Sequence, residues 1–208
     1  MIPADVLFVF IAASTALALA PGPDNIFVLT QAALGGRFAG LMVTLGLVTG
    51  VLVHTVLVAL GVAVIFQTSQ AAFTLLKLAG AGYLLWLAWK SLRAGAADLQ
   101  DGSPAQLPAG RLYARGVIMN LTNPKVAIFF LAFLPQFADP GRGPVTAQIF
   151  VFGAVFGLCA LVIFGAVAWT AGFLGGWLRS SPRAQIVLNR VAGAVFAGLA
   201  LRLLMAER

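Results

Sequence analysis

The chain has 208 residues, of which 61% are hydrophobic and 9% are charged, and its mean hydropathy is +1.01. Soluble domains carry about 25% charged residues, so this composition excludes a water-soluble fold and predicts an all-α integral membrane protein. The net charge of +7 does not indicate a nucleic-acid-binding protein, because the basic residues are spread over short loops and segment ends.

A membrane-spanning helix needs about 20 mostly apolar residues, and six stretches of the chain meet this condition. They are residues 4–29, 39–66, 71–92, 112–137, 145–175 and 185–206. No stretch is left for a soluble domain, so residues 1–208 are interpreted as a single membrane domain. Residues 6–20 have the apolar character of a signal-peptide core, but no Lys or Arg precedes them, so we expect a retained first helix.

The first and the fourth of these segments each contain a short polar interruption with proline. The interruptions are Pro21-Gly22-Pro23-Asp24-Asn25 and Asn120-Leu121-Thr122-Asn123-Pro124-Lys125. Proline lacks a backbone N–H and clashes with the preceding turn, so helices 1 and 4 are predicted to break at these motifs. Matched breaks in two halves of a membrane protein indicate a substrate site near the bilayer midplane.

The second half of the chain repeats the order of motifs of the first half. Gly46-Leu47-Val48-Thr49-Gly50 resembles Gly153-Ala154-Val155-Phe156-Gly157, and residues 77–81 resemble residues 190–194. Because three is an odd number of spans, the second half enters the membrane from the opposite side. The chain is therefore predicted to form two inverted three-helix repeats. The predicted repeats are residues 1–93 and 111–208, joined by a loop at 94–110.

The distribution of Lys and Arg predicts the orientation in the membrane, because cytoplasmic loops carry the excess of these residues. Seven lie on one predicted side, namely Arg37, Lys90, Arg93, Arg111, Arg115, Arg179 and Arg183, and three on the other, namely Arg142, Arg202 and Arg208. This count places the 93–111 loop in the cytoplasm and both termini outside. It predicts a multi-pass protein of the cell inner (plasma) membrane.

Charged and amide side chains at the two breaks are the candidate substrate site. A carboxylate well inside the membrane costs about 2.5–3.5 kcal/mol on insertion scales, so Asp24 is expected to bind a substrate ammonium or a coupling proton, with helix capping as the structural alternative. Lys125 holds the equivalent place in the other half, where it either neutralises Asp24, binds a substrate carboxylate or snorkels to the interface. Asn25, Asn120 and Asn123 add amide groups. Such a site suits a zwitterion.

His54 and several glycines share helix faces. His54 follows Gly46 and Gly50 at four-residue spacing, which places all three on one face. His54 is either a packing residue or part of a proton path. Gly46 and Gly50, like Gly153 and Gly157, are expected to be helix-packing positions that allow close approach.

No pattern in the sequence indicates an enzyme, a cofactor or a metal. Cys159 is the one cysteine, and this excludes an intramolecular disulfide and argues against an electron carrier that works through paired thiols. The sequence contains no catalytic triad pattern, phosphate-binding loop or cluster of metal ligands.

Over nearly its whole length the chain resembles the LysE/RhtB family of bacterial amino-acid exporters. The resemblance is carried by Ala20-Pro21-Gly22-Pro23-Asp24-Asn25, by Gly35-Gly36-Arg37-Phe38-Ala39-Gly40 with Gly46, Gly50 and His54, by residues 76–86, by residues 116–125 and by residues 129–137.

The resemblance implies an inner-membrane secondary exporter of amino acids or close derivatives, driven by proton antiport and working by alternating access. The implied partners are an amino-acid substrate, protons and the lipid bilayer, with a homodimer as an option. The scarcity of acidic residues in the spans argues against a dibasic substrate. A divalent-cation exporter of similar architecture is the alternative, although Asp24 alone supplies few of the oxygen ligands that such ions require.

Overall fold

The structure is a computed structural model that describes residues 2–20, 22–68, 70–95 and 107–205. All regular secondary structure in these ranges is helical. The helices are α1 (Ala4–Leu19), α2 (Pro23–Thr68), α3 (Gln70–Arg93), α4 (Ala109–Thr122), α5 (Pro124–Ile128), α6 (Val145–Ser180) and α7 (Pro182–Met205). Most of the predicted 94–110 loop lies outside the described residues.

The first break lies between α1 and α2. Helix α1 ends at Leu19 and α2 begins at Pro23, with Pro21, one of the predicted break residues, outside the described part. The sequence predicted a loop between the first segment and the second, which was expected to begin at residue 39. Instead α2 continues from Pro23 to Thr68, with one non-helical residue, Gly36, at φ 76° and ψ 172°. Glycine adopts this positive φ without a Cβ clash, so a kink takes the place of the loop.

The second break lies between α4 and α5. Asn123 is extended at φ −76° and ψ 107°, as expected for a residue that precedes proline. Helix α5 then continues through a π-helical turn, Phe129–Phe133, and a 3₁₀ turn, Leu134–Phe137. The helical segments on the two sides of Asn123 are bent by 52°. The fourth segment is thus two half-helices.

Among the described residues, two helical stretches are long and apolar enough to cross a membrane, Pro23–Gly61 and Val145–Ala171. The bent pair of Ala109–Thr122 with Pro124–Phe137 forms a third candidate span. Ala4–Leu19 is a shorter apolar helix. The structure therefore has the all-helical, apolar architecture of a membrane protein.

Helix α2 lies at the centre and packs against α4 and α6, while α3 packs against α7 and α1 against α6. The core is rich in phenylalanine: the Phe10 ring lies 4.7 Å from that of Phe152 and 6.1 Å from that of Phe129 (centroid to centroid). Large apolar side chains such as Phe8 also cover the outer surface, where 72% of Phe8 is exposed. An apolar exterior over a packed core suits a lipid environment.

Candidate functional site

The two breaks meet inside the protein through a hydrogen bond between Asp24 and Asn123. The Asn123 side-chain amide Nδ2 donates to Asp24 Oδ2 at 2.9 Å, across 99 residues of chain. Asn123 Oδ1 also accepts from the backbone N–H of Lys125 at 3.0 Å, which makes Asn123 the N-cap of α5. Asp24 lies in the first turn of α2 and is 1% exposed. One amide side chain therefore caps one half-helix and holds the carboxylate at the start of the other.

Lys125 reaches across from α5 to the C-terminal end of α1. Its Nζ donates to Leu17 O at 3.2 Å and to Ala20 O at 3.1 Å. In an uninterrupted helix the donor to Leu17 O would be the amide of residue 21, but Pro21 has no N–H. The ammonium thus satisfies a carbonyl that the proline leaves free, at the helix end that favours positive charge.

Gly22 provides the space for this arrangement. A Cβ at residue 22 would lie 3.1 Å from Lys125 Nζ and 3.7 Å from Lys125 Cε, which is closer than most Cβ contacts. In the part of the chain that the structure describes, Lys125 makes no ion pair with Asp24 within 4 Å. Of the roles expected for Lys125, snorkelling to the interface is wrong, because the side chain is 6% exposed and points into the protein.

Asp24 Oδ1 at the first break and Asn120 Oδ1 at the second are buried acceptors without a hydrogen-bond partner. Asp24, Asn120 and Lys125 line one internal cavity. Its remaining walls are mostly apolar: Leu17, Ala18, Leu47, Val51, Val126, Phe156, Ala160 and Phe164. The cavity is narrow and has room for about one water molecule. It therefore brings a carboxylate, an amide and an ammonium together around a space too small for an amino acid.

Asn25 does not join this group. Its Nδ2 donates to Ala18 O at 2.7 Å, and its Oδ1 is buried without a partner. Ser14, which the sequence analysis did not single out, is fully buried in α1, and its hydroxyl also lacks a partner. Ser14 thus adds an unsatisfied oxygen within α1, and Asn25 adds one at the start of α2.

His54 faces α4 at the same level as the second break. Its Nε2 lies 3.3 Å from Asn120 O, and its ring lies 5.7 Å from that of Phe130. Gly50, one turn earlier, faces the Asn120 side chain, since a Cβ there would lie 2.6 Å from Asn120 Cβ. His54 and Gly50 therefore both contact Asn120, and His54 is not among the residues that line the cavity.

The other glycines that were expected to pack have different neighbours. A Cβ at Gly46 would overlap the backbone of α4 at Tyr113 O, and a Cβ at Gly153 would overlap the Thr55 side chain. At Gly157 a Cβ would make ordinary contacts, 3.8 Å from Val51 Cγ1. Gly46 and Gly153 therefore mark close helix contacts of α2, with α4 and α6 respectively, whereas Gly157 does not.

The structure brings together Asp24, Asn120, Asn123 and Lys125 and places His54 beside them. Sequence reasoning missed the backbone carbonyls of Leu17 and Ala20. The signal for Leu17 O was present, because a proline at position 21 removes the amide donor to the carbonyl four residues earlier. In the described ranges, no three His, Cys, Asp or Glu side chains gather as metal ligands do.

Comparison with known proteins identifies the family. The family model described as "LysE type translocator" matches residues 15–207. The homoserine/homoserine lactone efflux protein of Salmonella typhimurium is 36% identical over 190 residues, which is 91% of each chain. An uncharacterized membrane protein of Vibrio cholerae is 33% identical over 199 residues, 95% of this chain and 96% of its own. No solved structure matches the chain.

These matches extend over nearly the whole chain and include both breaks. The family consists of translocators rather than enzymes. Two of the relatives that are similar to this chain are named as membrane proteins. The chain is a membrane protein of the LysE type translocator family.

Proposed function

We propose that this protein exports amino acids or close derivatives, homoserine among them, across the bacterial inner membrane by proton antiport and alternating access. The observation that carries the proposal is the meeting of the two helix breaks, where the Asn123 amide binds the Asp24 carboxylate beside an internal cavity. The efflux name of the Salmonella typhimurium relative supports the substrate class.

The polar groups at the cavity match a zwitterion. Asp24 Oδ1 and Asn120 Oδ1 are acceptors without donors, as a substrate ammonium requires. The Lys125 ammonium has three N–H groups and uses two of them on Leu17 O and Ala20 O. Its remaining N–H group is available to a substrate carboxylate.

The helix packing supports two inverted three-helix repeats and six spans. If α1 with the start of α2 corresponds to α4 with α5, the rest of α2 corresponds to α6, and α3 to α7. A two-fold relation then maps the contact of α1 with α6 onto that of α4 with α2, and both contacts are present, as are the contacts of α2 with α6 and of α3 with α7. Rocking one repeat against the other would open the cavity to each side in turn.

Asp24 is the proposed proton carrier because it is the one buried carboxylate among the described residues. A carboxylate that binds a substrate ammonium in one orientation and a proton in the other couples the two fluxes. Asn189 Nδ2 donates to Gly95 O at 3.1 Å, which supports the prediction that the start of the 93–111 loop and the N-terminal part of α7 lie on the same side of the membrane.

Proteoliposomes that contain the purified protein test the export function. Labelled homoserine, threonine, leucine and lysine are offered with and without an imposed pH gradient. We expect gradient-dependent flux of homoserine or a similar neutral amino acid and little flux of lysine. Equal flux with and without the gradient would contradict proton coupling. The absence of flux for all of these amino acids would contradict the export function itself.

A further inference from the structure

Two carbonyl oxygens bind the Lys125 ammonium at the end of α1, and two side-chain oxygens lie at the cavity that Lys125 lines. The carbonyls are Leu17 O and Ala20 O, which accept from Lys125 Nζ. The side-chain oxygens are Asp24 Oδ1 and Asn120 Oδ1, which are buried without partners and belong to residues that line the same cavity as Lys125. All four oxygens are acceptors, and one of them carries the negative charge of Asp24. Such a set of oxygens has the chemistry of a site for a small monovalent cation.

In membrane transporters with broken helices, unwound carbonyls and the C-terminal ends of half-helices coordinate sodium ions. The negative end of the α1 dipole and the carboxylate of Asp24 supply the same attraction here. In this protein the ammonium of Lys125 lies at the C-terminal end of α1. Gly22 provides the space for it, because a Cβ at residue 22 would lie 3.1 Å from Lys125 Nζ.

We propose that the Lys125 ammonium takes the place of a sodium ion: it binds Leu17 O and Ala20 O, and its removal allows a sodium ion to bind these carbonyls together with Asp24 and Asn120 from the same cavity. The protein then needs no sodium ion, and removal of the ammonium uncovers a site that binds one. The absence of a sodium requirement in transport rests on the proposed export function, whereas sodium binding after removal of the ammonium does not.

Thermal unfolding of the purified full-length protein in detergent tests the site without a transport assay. Tm is measured in sodium chloride and in choline chloride at equal ionic strength for the wild type, for Lys125→Ala and for Lys90→Ala. Lys90 lies on the outer surface with its Nζ 5.1 Å from the Trp86 ring centre, so Lys90→Ala removes the same charge away from the cavity. A fourth protein, Lys125→Ala with Asp24→Asn, removes the carboxylate as well.

We expect sodium to raise Tm of Lys125→Ala by roughly 4–8 °C relative to choline, because a ligand that binds the folded state alone stabilises it. Wild type, Lys90→Ala and the double variant should show the same Tm in both salts. A folded Lys125→Ala protein with equal Tm values would overturn the proposal.

The Tm of the wild type in the two salts does not depend on whether any variant folds. Sodium-selective stabilisation of the wild type would overturn the proposal, because the site would then be free to accept sodium beside Lys125. If Lys125→Ala is recovered as aggregate in both salts, Lys125→Ser replaces it in the same comparison, and equal Tm values of the folded variant in sodium and choline would overturn the proposal. If the wild type transports amino acids, replacing sodium with choline should leave the rate unchanged, and a sodium requirement would refute the proposed role of Lys125 while leaving the export function intact.

Discussion

Replacing Asn123 by alanine should both destabilise the protein and inactivate it, because one side chain joins the two breaks. Asn123→Ala removes the N-cap of α5, which is worth about 1 kcal/mol, and the bond from Nδ2 to the Asp24 carboxylate at 2.9 Å, which is worth about 1.5–3 kcal/mol. The sum is about 2.5–4 kcal/mol of unfolding free energy. For a chain of this length, this corresponds to a Tm lowered by roughly 5–16 °C.

Asn123→Ser separates the two contributions. Serine is a good N-cap, so its hydroxyl oxygen can accept the bond from the Lys125 N–H. Serine has no amide N–H group, so the bond that Asn123 Nδ2 donates to Asp24 Oδ2 is lost. We expect about one third of the Tm loss of Asn123→Ala to be recovered in Asn123→Ser, with homoserine flux low in both. Asn189→Ala, which removes an exposed bond to Gly95 O, is the control and should behave as the wild type. A Tm of Asn123→Ala within 1 °C of the wild type would refute the view that this residue joins the breaks.

Three further predictions follow from the site and its packing. Asp24→Asn should abolish gradient-driven flux while the protein remains in the membrane, as immunoblotting of membrane fractions would verify; wild-type flux would remove Asp24 from the mechanism. Gly46→Ala should lower the unfolding free energy by about 1–3 kcal/mol, because its Cβ meets the α4 backbone, whereas Gly157→Ala, with ordinary contacts, should be neutral or stabilising by up to about 1 kcal/mol; equal Tm values would contradict this difference. Pro124→Ala should reduce flux by allowing α4 and α5 to join, and unchanged flux would mean that the 52° bend is not needed.

The sequence predicted the helical membrane character and the positions of both breaks well, because these depend on local chemistry. Apolar length and proline act within a few residues, so the breaks before Pro23 and Pro124 could be located without coordinates. The kink at Gly36 was not predicted. A glycine tolerates a positive φ, but whether the chain continues as a helix on both sides depends on packing.

The partners of the candidate residues depend on tertiary structure and were predicted less well. Neutralisation of Asp24 was one of three alternatives for Lys125, whereas the hydrogen-bond partners in the structure are Asn123 for Asp24 and the α1 carbonyls for Lys125 Nζ. Gly153 and Gly157 were both expected to be helix-packing positions, and Gly153 does pack closely on α2, whereas Gly157 makes only ordinary contacts. Repeated motifs in a sequence do not determine which helix faces which.

Ligand-induced stabilisation tests most directly whether the two breaks form one binding site for an amino acid. Tm of the purified protein is measured against homoserine concentration for the wild type, Asp24→Asn, Lys125→Met and Asp139→Asn, the last in an exposed turn where Asp139 pairs with Arg142. Homoserine should raise Tm of the wild type and Asp139→Asn in a saturable manner and leave Asp24→Asn and Lys125→Met unchanged. A full response in Asp24→Asn and Lys125→Met would place the substrate elsewhere and contradict the assignment of this site.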